Sequence, residues 1–299
     1  MLLHRQLMRF IFNPRESQIM NHVKQTHFFL CMTLISIFFS LAISHEALAE
    51  TSADANAQKC KPELVKLVGN FLKVSHFTFP EQGKYSSVQN GGRLIVGICR
   101  PWPEDASKTI SAFLYNAGKE DQATLFIVLI DGERKQVLAS YQDNIGGDAV
   151  TDVEHASLWL DLARYRLSPN TRAFAVRINA FRDRCGFEGG YDDELTLFVV
   201  EKRAIRSVLQ TTMHRWQYQG DRCGGEDAPR ADVGLTVAVE PTSTKGFADL
   251  KFTARLDDEG KSATAKPVSA IVKYDGKRYN TDVLQSLDEA LLLSGLKRN

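Results

Sequence analysis

Carboxylates are the chemistry-bearing groups that this sequence places together. Asp192-Asp193-Glu194 form one run, and Glu226 and Asp227 follow Cys223. Oxygen donors in such numbers can hold a hard cation. Two carboxyl groups across a cleft can serve as acid and base on a glycosidic bond. The simpler use of the same residues is a solvated turn, which Asp and Gly favour for conformational reasons. Asp143, Asp148 and Asp152, around Gly146-Gly147, form a second acidic stretch of the same kind. Trp102 stands between Pro101 and Pro103 beside Cys99. It is a rigid aromatic that either anchors a ligand or packs against a disulfide.

Other chemistries lack their residues. Beyond residue 49 the histidines are His76, His155 and His214, each isolated in sequence. A lone histidine in a β protein is more often packed than catalytic. No His-Glu-x-x-His, Gly-x-Ser-x-Gly, P-loop or Gly-x-Gly-x-x-Gly occurs. Ser294-Gly295-Leu296-Lys297 matches Ser-x-x-Lys, but it lies in the tail without companion motifs. No catalytic set, metal centre or cofactor is therefore expected.

The N-terminus speaks to compartment. Phe28 to Ile43 is a nearly unbroken apolar run, preceded by His22 and Lys24 and followed by Ala47-Leu48-Ala49. A basic flank, an apolar core and a small-x-small exit describe a secretory signal covering 1–49. Its length suits translation from Met20 better than from Met1. The run is about 16 residues, short of the roughly 20 that a spanning helix needs. Periplasmic or secreted location with no lasting membrane span is the expectation. The whole chain carries 37 Lys+Arg against 36 Asp+Glu, and losing Arg5, Arg9, Arg15, Lys24, Glu16 and Glu46 leaves a net charge of −1. No basic block suggests a nucleic-acid partner.

Cys60, Cys99, Cys185 and Cys223 remain after cleavage, an even count that implies disulfides in an exported chain. None forms Cys-x-x-Cys. Cys185 and Cys223 lie equally far from a turn near Lys202 to Ala204, between strands Leu195–Val200 and Ser207–Met213. Antiparallel pairing brings such positions opposite each other. This pairs Cys185 with Cys223 and leaves Cys60 for Cys99.

Strands must position these groups. From Gly92 the apolar pattern has period two. Leu94, Val96 and Ile98 alternate with Ile95, Gly97 and Cys99; a Pro101-Trp102-Pro103 break precedes Ile110–Tyr115. Leu125–Ile130 is apolar on both faces, and Asp131-Gly132 is a hairpin turn signal before Gln136–Tyr141. A second set follows through Leu158–Leu162, Phe174–Ile178 and the 195–213 hairpin. A third comprises Leu235–Val239, Leu250–Leu256, Val268–Tyr274 and a return at Lys277–Tyr279. The last turns of the sets, near Gly132, Arg203 and Gly276, recur about every 70 residues. The fold class is thus mainly β: tandem four-stranded antiparallel meanders, stacked as a propeller-like fragment or as a β-sandwich. Short helices flank them. Pro62 to Val74 has helical apolar spacing with Pro62 in its first turn. Asp282 to Ser294 carries a stripe of Val283, Leu284, Leu287, Leu291 and Leu292. The organisation reads as 1–49 leader, 50–91 N-terminal helix and linker, 92–281 meander domain and 282–299 C-terminal helix.

Gly246-Phe247-Ala248-Asp249-Leu250 with Tyr274-Asp275-Gly276-Lys277-Arg278-Tyr279 resembles a hairpin of FG-GAP-type blade repeats. The dense Asp-x-Asp-x-Asp-Gly run of their calcium loops is absent, so the resemblance implies no calcium site. The stretch Ser157 to Ile178, with Leu160-Asp161-Leu162-Ala163-Arg164-Tyr165 and Arg172-Ala173-Phe174, resembles an uncharacterised all-β family of proteobacterial secreted proteins. That resemblance carries no activity. The functional expectation is a non-enzymatic envelope-associated protein that binds an envelope protein or glycan. The alternatives are a glycan hydrolase using carboxylates near Asp193 and Glu226, and an assembly subunit docking through the C-terminal helix.

Overall fold

A computed structural model describes residues 60–79, 92–116, 118, 122–146, 151, 153–154, 156–180, 188–218, 230–257 and 266–296. The leader, Cys185, Cys223, Glu226, Asp227, Asp148, Asp152 and His155 lie outside the described residues. In chain order the elements are α1 (Pro62–Leu72), β1 (Leu94–Trp102), β2 (Asp105–Asn116), β3 (Gln122–Asp131), β4 (Gln136–Gly146), β5 (Leu158–Ser168), β6 (Thr171–Ile178), β7 (Gly189–Glu201), β8 (Ala204–Tyr218), β9 (Arg230–Thr244), β10 (Phe247–Asp257), β11 (Val268–Val272) and α2 (Asp282–Leu296).

The chain is mainly β, built from tandem antiparallel meanders with a short helix at each end. β1–β4 form one meander and β5–β8 a second, each strand pairing with the next. β9–β11 form the third, whose fourth member is only the bridge Tyr274↔Tyr279 around Gly276. β8 sews the sets into one sheet. Its start meets β4 in a parallel bridge, Ser140↔Ala204, and its end pairs with β9 from His214↔Gly234 to Tyr218↔Arg230.

Alternation along each strand assigns side chains to layers, because successive Cβ atoms leave opposite faces. On β3, Leu125, Ile127 and Leu129 meet Phe174, Val176 and Phe198 of the second meander. Phe126, Val128 and Ile130 take the other face, under α1. On β6, Phe174 and Val176 join the first interface, while Ala173 and Ala175 face Phe252, Leu256 and the leucines of α2. Each such large side chain contributes about 1.5–3 kcal/mol on full burial. Three buried layers result: α1 on the first meander, first meander on second, and second on third with α2.

The helices follow their stripes. Pro62 begins α1, and Lys73 closes it in the left-handed region at φ 57. Gly69 sits inside because a Cβ there would lie 2.8 Å from Phe77 Cβ. α2 buries Leu284, Leu287, Leu291 and Leu292 against the third meander, whereas Val283 is exposed and leaves the expected stripe. Cys60 and Cys99 are bonded, Cα–Cα 4.9 Å, tying the residue before Lys61 to β1.

The expected turn at Asp131-Gly132 joins β3 to β4, and two other local expectations are corrected. The ladder closes at Asp131↔Gln136 over four residues, Lys135 takes positive φ, and Asp131 Oδ1 accepts from the amides of Glu133 and Arg134. Pro101-Trp102-Pro103 does not end β1 early: pairing runs on to Trp102↔Asp105. This is tolerated because β1 is an edge strand of the order β1-β2-β3-β4. A register shift between Leu94 and Val96 puts Leu94 under α1 instead of beside Ile98.

Candidate site in the cleft between the first two meanders

The two meanders are joined along β4 and β8 at a single bridge, and beyond it they part. The gap is a cleft of about 330 Å³. β4 supplies Tyr141, Asp143 and Asn144 on one wall; β7 and β8 supply Asp192, Glu194 and Gln210 on the other. Leu125, Val176 and Phe198 form an apolar floor. Such a hollow, apolar below with a few polar groups at its walls, is the usual form of a ligand site. Two other hollows, about 470 and 490 Å³, flank α1 beside the disulfide. They contain none of the carboxylates singled out by sequence, apart from their structural neighbour Asp131.

Local geometry orients six of the polar groups on the rim, from Tyr141, Asp143 and Asn144 to Asp192, Glu194 and Gln210. Asp143 belongs to β4 rather than to an acidic loop; its Oδ2 accepts from Tyr141 Oη at 2.9 Å and its Oδ1 from the Asn144 amide at 2.8 Å. The Tyr141 ring sits 4.9 Å from Phe198. Burial, reinforced by Asp143 and Glu194, pushes its phenol up to about 12, so it remains a neutral donor near pH 7. Gln210 Nε2 donates to Glu194 Oε1 at 2.8 Å, and Thr124 Oγ1 donates to Asn144 Oδ1 at 3.1 Å.

The Asp192-Asp193-Glu194 run lies inside β7, not before a strand. Period two splits it. Asp192 and Glu194 line the cleft, and Asp193 does not. Asp193 takes φ 55 and receives a two-pronged ion pair from Arg177, with Nε to Oδ1 at 2.7 Å. Burial disfavours the Arg177 charge, but Asp193 outweighs it and raises the guanidinium pKa. Asp192 meets His214 across the ladder, Nδ1 to Oδ1 2.6 Å. The second ring nitrogen of His214 lies 3.0 Å from Asp232 Oδ1, and Asp232 also takes Arg230. Arg230 lies over the Trp216 ring at 5.1 Å. The two carboxylates raise His214 to about 9 against the opposing effect of burial. His214 is therefore a charged tie between β7 and β9 at neutral pH, and not a general base.

Trp102 is buried and meets Phe174 edge-on at 5.8 Å between the meanders. It is neither an exposed anchor nor a cover for the disulfide, whose cysteines lie in the α1 layer. The acidic partners expected after Cys223 lie outside the described residues. The sequence reading missed Tyr141, Gln210 and the His214–Asp232 link. The hairpin centre near Arg203 carried a signal for the Asp192–His214 pair, since it places those residues opposite each other.

Fold and cleft together define a disulfide-bonded protein of stacked meanders with an acidic groove between the first two. No family model, curated protein or solved structure matches the chain. Among the described residues no cluster of three or more His, Cys, Asp or Glu suits a metal ion, and no helix is long and apolar enough to cross a membrane.

Proposed function

We propose that this chain is an exported binding protein of the cell envelope whose groove between β4 and β7–β8 takes a glycan segment. The supporting observation is the parting of the two meanders beyond Ser140↔Ala204, which opens an apolar floor ringed by oriented acceptors. Carboxylate, amide and hydroxyl groups match sugar hydroxyls, and Tyr191, 59% exposed at the groove, offers a ring face. The Cys60–Cys99 bond supports a compartment that permits disulfides.

Binding is favoured over hydrolysis by the hydrogen bonds that already engage the carboxyls. Each accepts from a donor: Tyr141 to Asp143, His214 to Asp192, Gln210 to Glu194. A carboxyl already engaged by a neighbouring donor is a fixed acceptor for sugar hydroxyls, whereas a glycosidase needs one carboxyl free to reach the leaving-group oxygen. The hydrolase reading rested on carboxylates near Asp193 and Glu226; Asp193 does not line the cleft, and the carboxyls on its opposed walls are Asp143 and Glu194. A docking subunit is less favoured, because α2 buries its leucine stripe in its own core.

Titration of the purified exported form with soluble peptidoglycan and exopolysaccharide fragments tests the proposal. Saturable binding lost in Tyr191→Ala and Glu194→Gln, with fragments recovered intact, is the expected result. Cleavage of the fragments, abolished by Glu194→Gln, replaces binding with hydrolysis. Absence of binding to every fragment overturns the assignment.

A further inference from the structure

The opposite end of the first two meanders gathers four hairpin turns. Antiparallel pairing puts the β1–β2 and β3–β4 turns at one end of the first meander and the β5–β6 and β7–β8 turns at one end of the second. The parallel bridge Ser140↔Ala204 points the two meanders the same way. An ion pair between Arg166, near the β5–β6 turn, and Glu104, in the β1–β2 turn, joins these ends directly. The groove lies at the other end, where Asn144 and Gly146 finish β4.

This turn-bearing end is basic. Arg166 stands directly opposite Arg172 on the β5–β6 ladder. Like charges so placed destabilise strand pairing. Arg164, exposed in the irregular stretch of β5, adds a third guanidinium close enough to repel Arg172. Glu104 serves Arg166, while Arg172 donates to the Leu162 carbonyl at 2.7 Å. Burial and the repulsion of Arg166 and Arg164 lower the Arg172 pKa, against the help of Glu104. The neighbouring turns present exposed Lys135, Lys202 and Arg203 against Glu133. Other carboxylates here already hold cations: Asp105 with Lys108 at 2.9 Å, Asp131 with Arg134 at 3.8 Å, Glu201 with Arg206 at 2.6 Å. The surplus is positive and is spread over several turns instead of converging on one point.

We propose that this turn face docks on a membrane surface of anionic phospholipid, with the arginines and lysines of the β5–β6 and β7–β8 turns meeting the phosphates. Spread cations on adjacent turns suit a plane of headgroups better than a single phosphate. The surface is independent of the groove and leaves it pointing away from the membrane.

The test is co-sedimentation of the purified exported form with phosphatidylglycerol-rich vesicles and with pure phosphatidylcholine vesicles, at low and high salt. Binding to the anionic vesicles alone, weakened by salt, is expected. Arg164→Gln, Lys202→Gln and Arg203→Gln should each weaken it about fivefold, with the near-ultraviolet dichroism unchanged. Arg166 and Arg172 are kept, since they contact the fold. Equal binding to both vesicles, no binding at low salt, or an unaffected triple variant overturns the proposal. So does abolition of vesicle binding by inorganic phosphate beyond the effect of equal ionic strength, which would indicate a discrete phosphate site.

Discussion

His214 and Asp192 face each other across the β7–β8 ladder, joined at 2.6 Å through Nδ1, and the far ring nitrogen of the same imidazole reaches Asp232 on β9. One protonated ring thus ties three strands where β8 exchanges β4 for β9 as its neighbour. The folded pKa, about 9, lies above the ordinary value of 6.5. Stability from this tie is complete below about pH 6.5 and is lost as pH rises through about 9. Urea unfolding should show a decline of up to about 3 kcal/mol across that window. His214→Gln should flatten the decline. A titrating imidazole midpoint near 6.5 by NMR contradicts the assignment.

Reduction of Cys60–Cys99 should loosen α1 first. The bond spans 39 residues of sequence and anchors the N-terminal end of the helix to β1. On the chain-entropy account it contributes about 4 kcal/mol. Cys60→Ala with Cys99→Ala should lower stability by that order and increase hydrogen exchange over 62–72 before the meanders. Uniform loss of protection across all strands would refute a local role.

Cys185 and Cys223 are expected to pair. The β7–β8 ladder runs out to Gly189↔Gln217, with the Tyr218 amide on the Glu188 carbonyl at 2.7 Å. Only three residues then separate Cys185 from Gly189, and five separate Gln217 from Cys223. Non-reducing peptide mapping of the oxidised protein should recover one 185–223 peptide. Two free thiols at these positions would remove the pairing.

Trp102→Ala should destabilise by about 3–5 kcal/mol, the cost of emptying an aromatic site in a packed interior. The ring has Phe174 at 5.8 Å in a T-shaped contact and little exposure. Ligand affinity measured on the folded fraction should not change. Unaltered melting with lost binding would restore the surface-anchor role.

Asp193 tests backbone strain separately from charge. Its φ of 55 suits Asn but penalises a β-branched side chain. Asp193→Asn should retain one contact to Arg177 and cost little. Asp193→Val should cost several-fold more in denaturation free energy, because it adds strain to an unpaired guanidinium. Equal effects from both variants would show that only the ion pair matters.

Much of this fold was legible in the pattern of residues. The apolar pattern marked β1–β11 and the helical stripes marked α1 and α2, because period and capping are local properties. The third meander was also visible, down to its Asp275-Gly276 turn, where Asp275 Oδ1 accepts from Lys277 and Arg278 amides. The groove was only half legible. Asp192 and Glu194 stood out by composition, yet Asp193 between them belongs to the other face, and Tyr141 carried no signal of its own.

Amino-acid order by itself marked the apolar centres of the strands and the turns between them, and it paired Cys60 with Cys99 by default. It also determined which positions share a face of one strand, since side chains alternate whatever the surroundings. Tertiary structure alone decided what covers each face. β3 and β6 are apolar on both sides, so their sequences are equally compatible with either neighbour. The groove exists because β4 and β8 touch once and diverge, and the basic end exists because that one contact is parallel. Both are consequences of how separate meanders dock, a relation between segments more than sixty residues apart that no local period encodes.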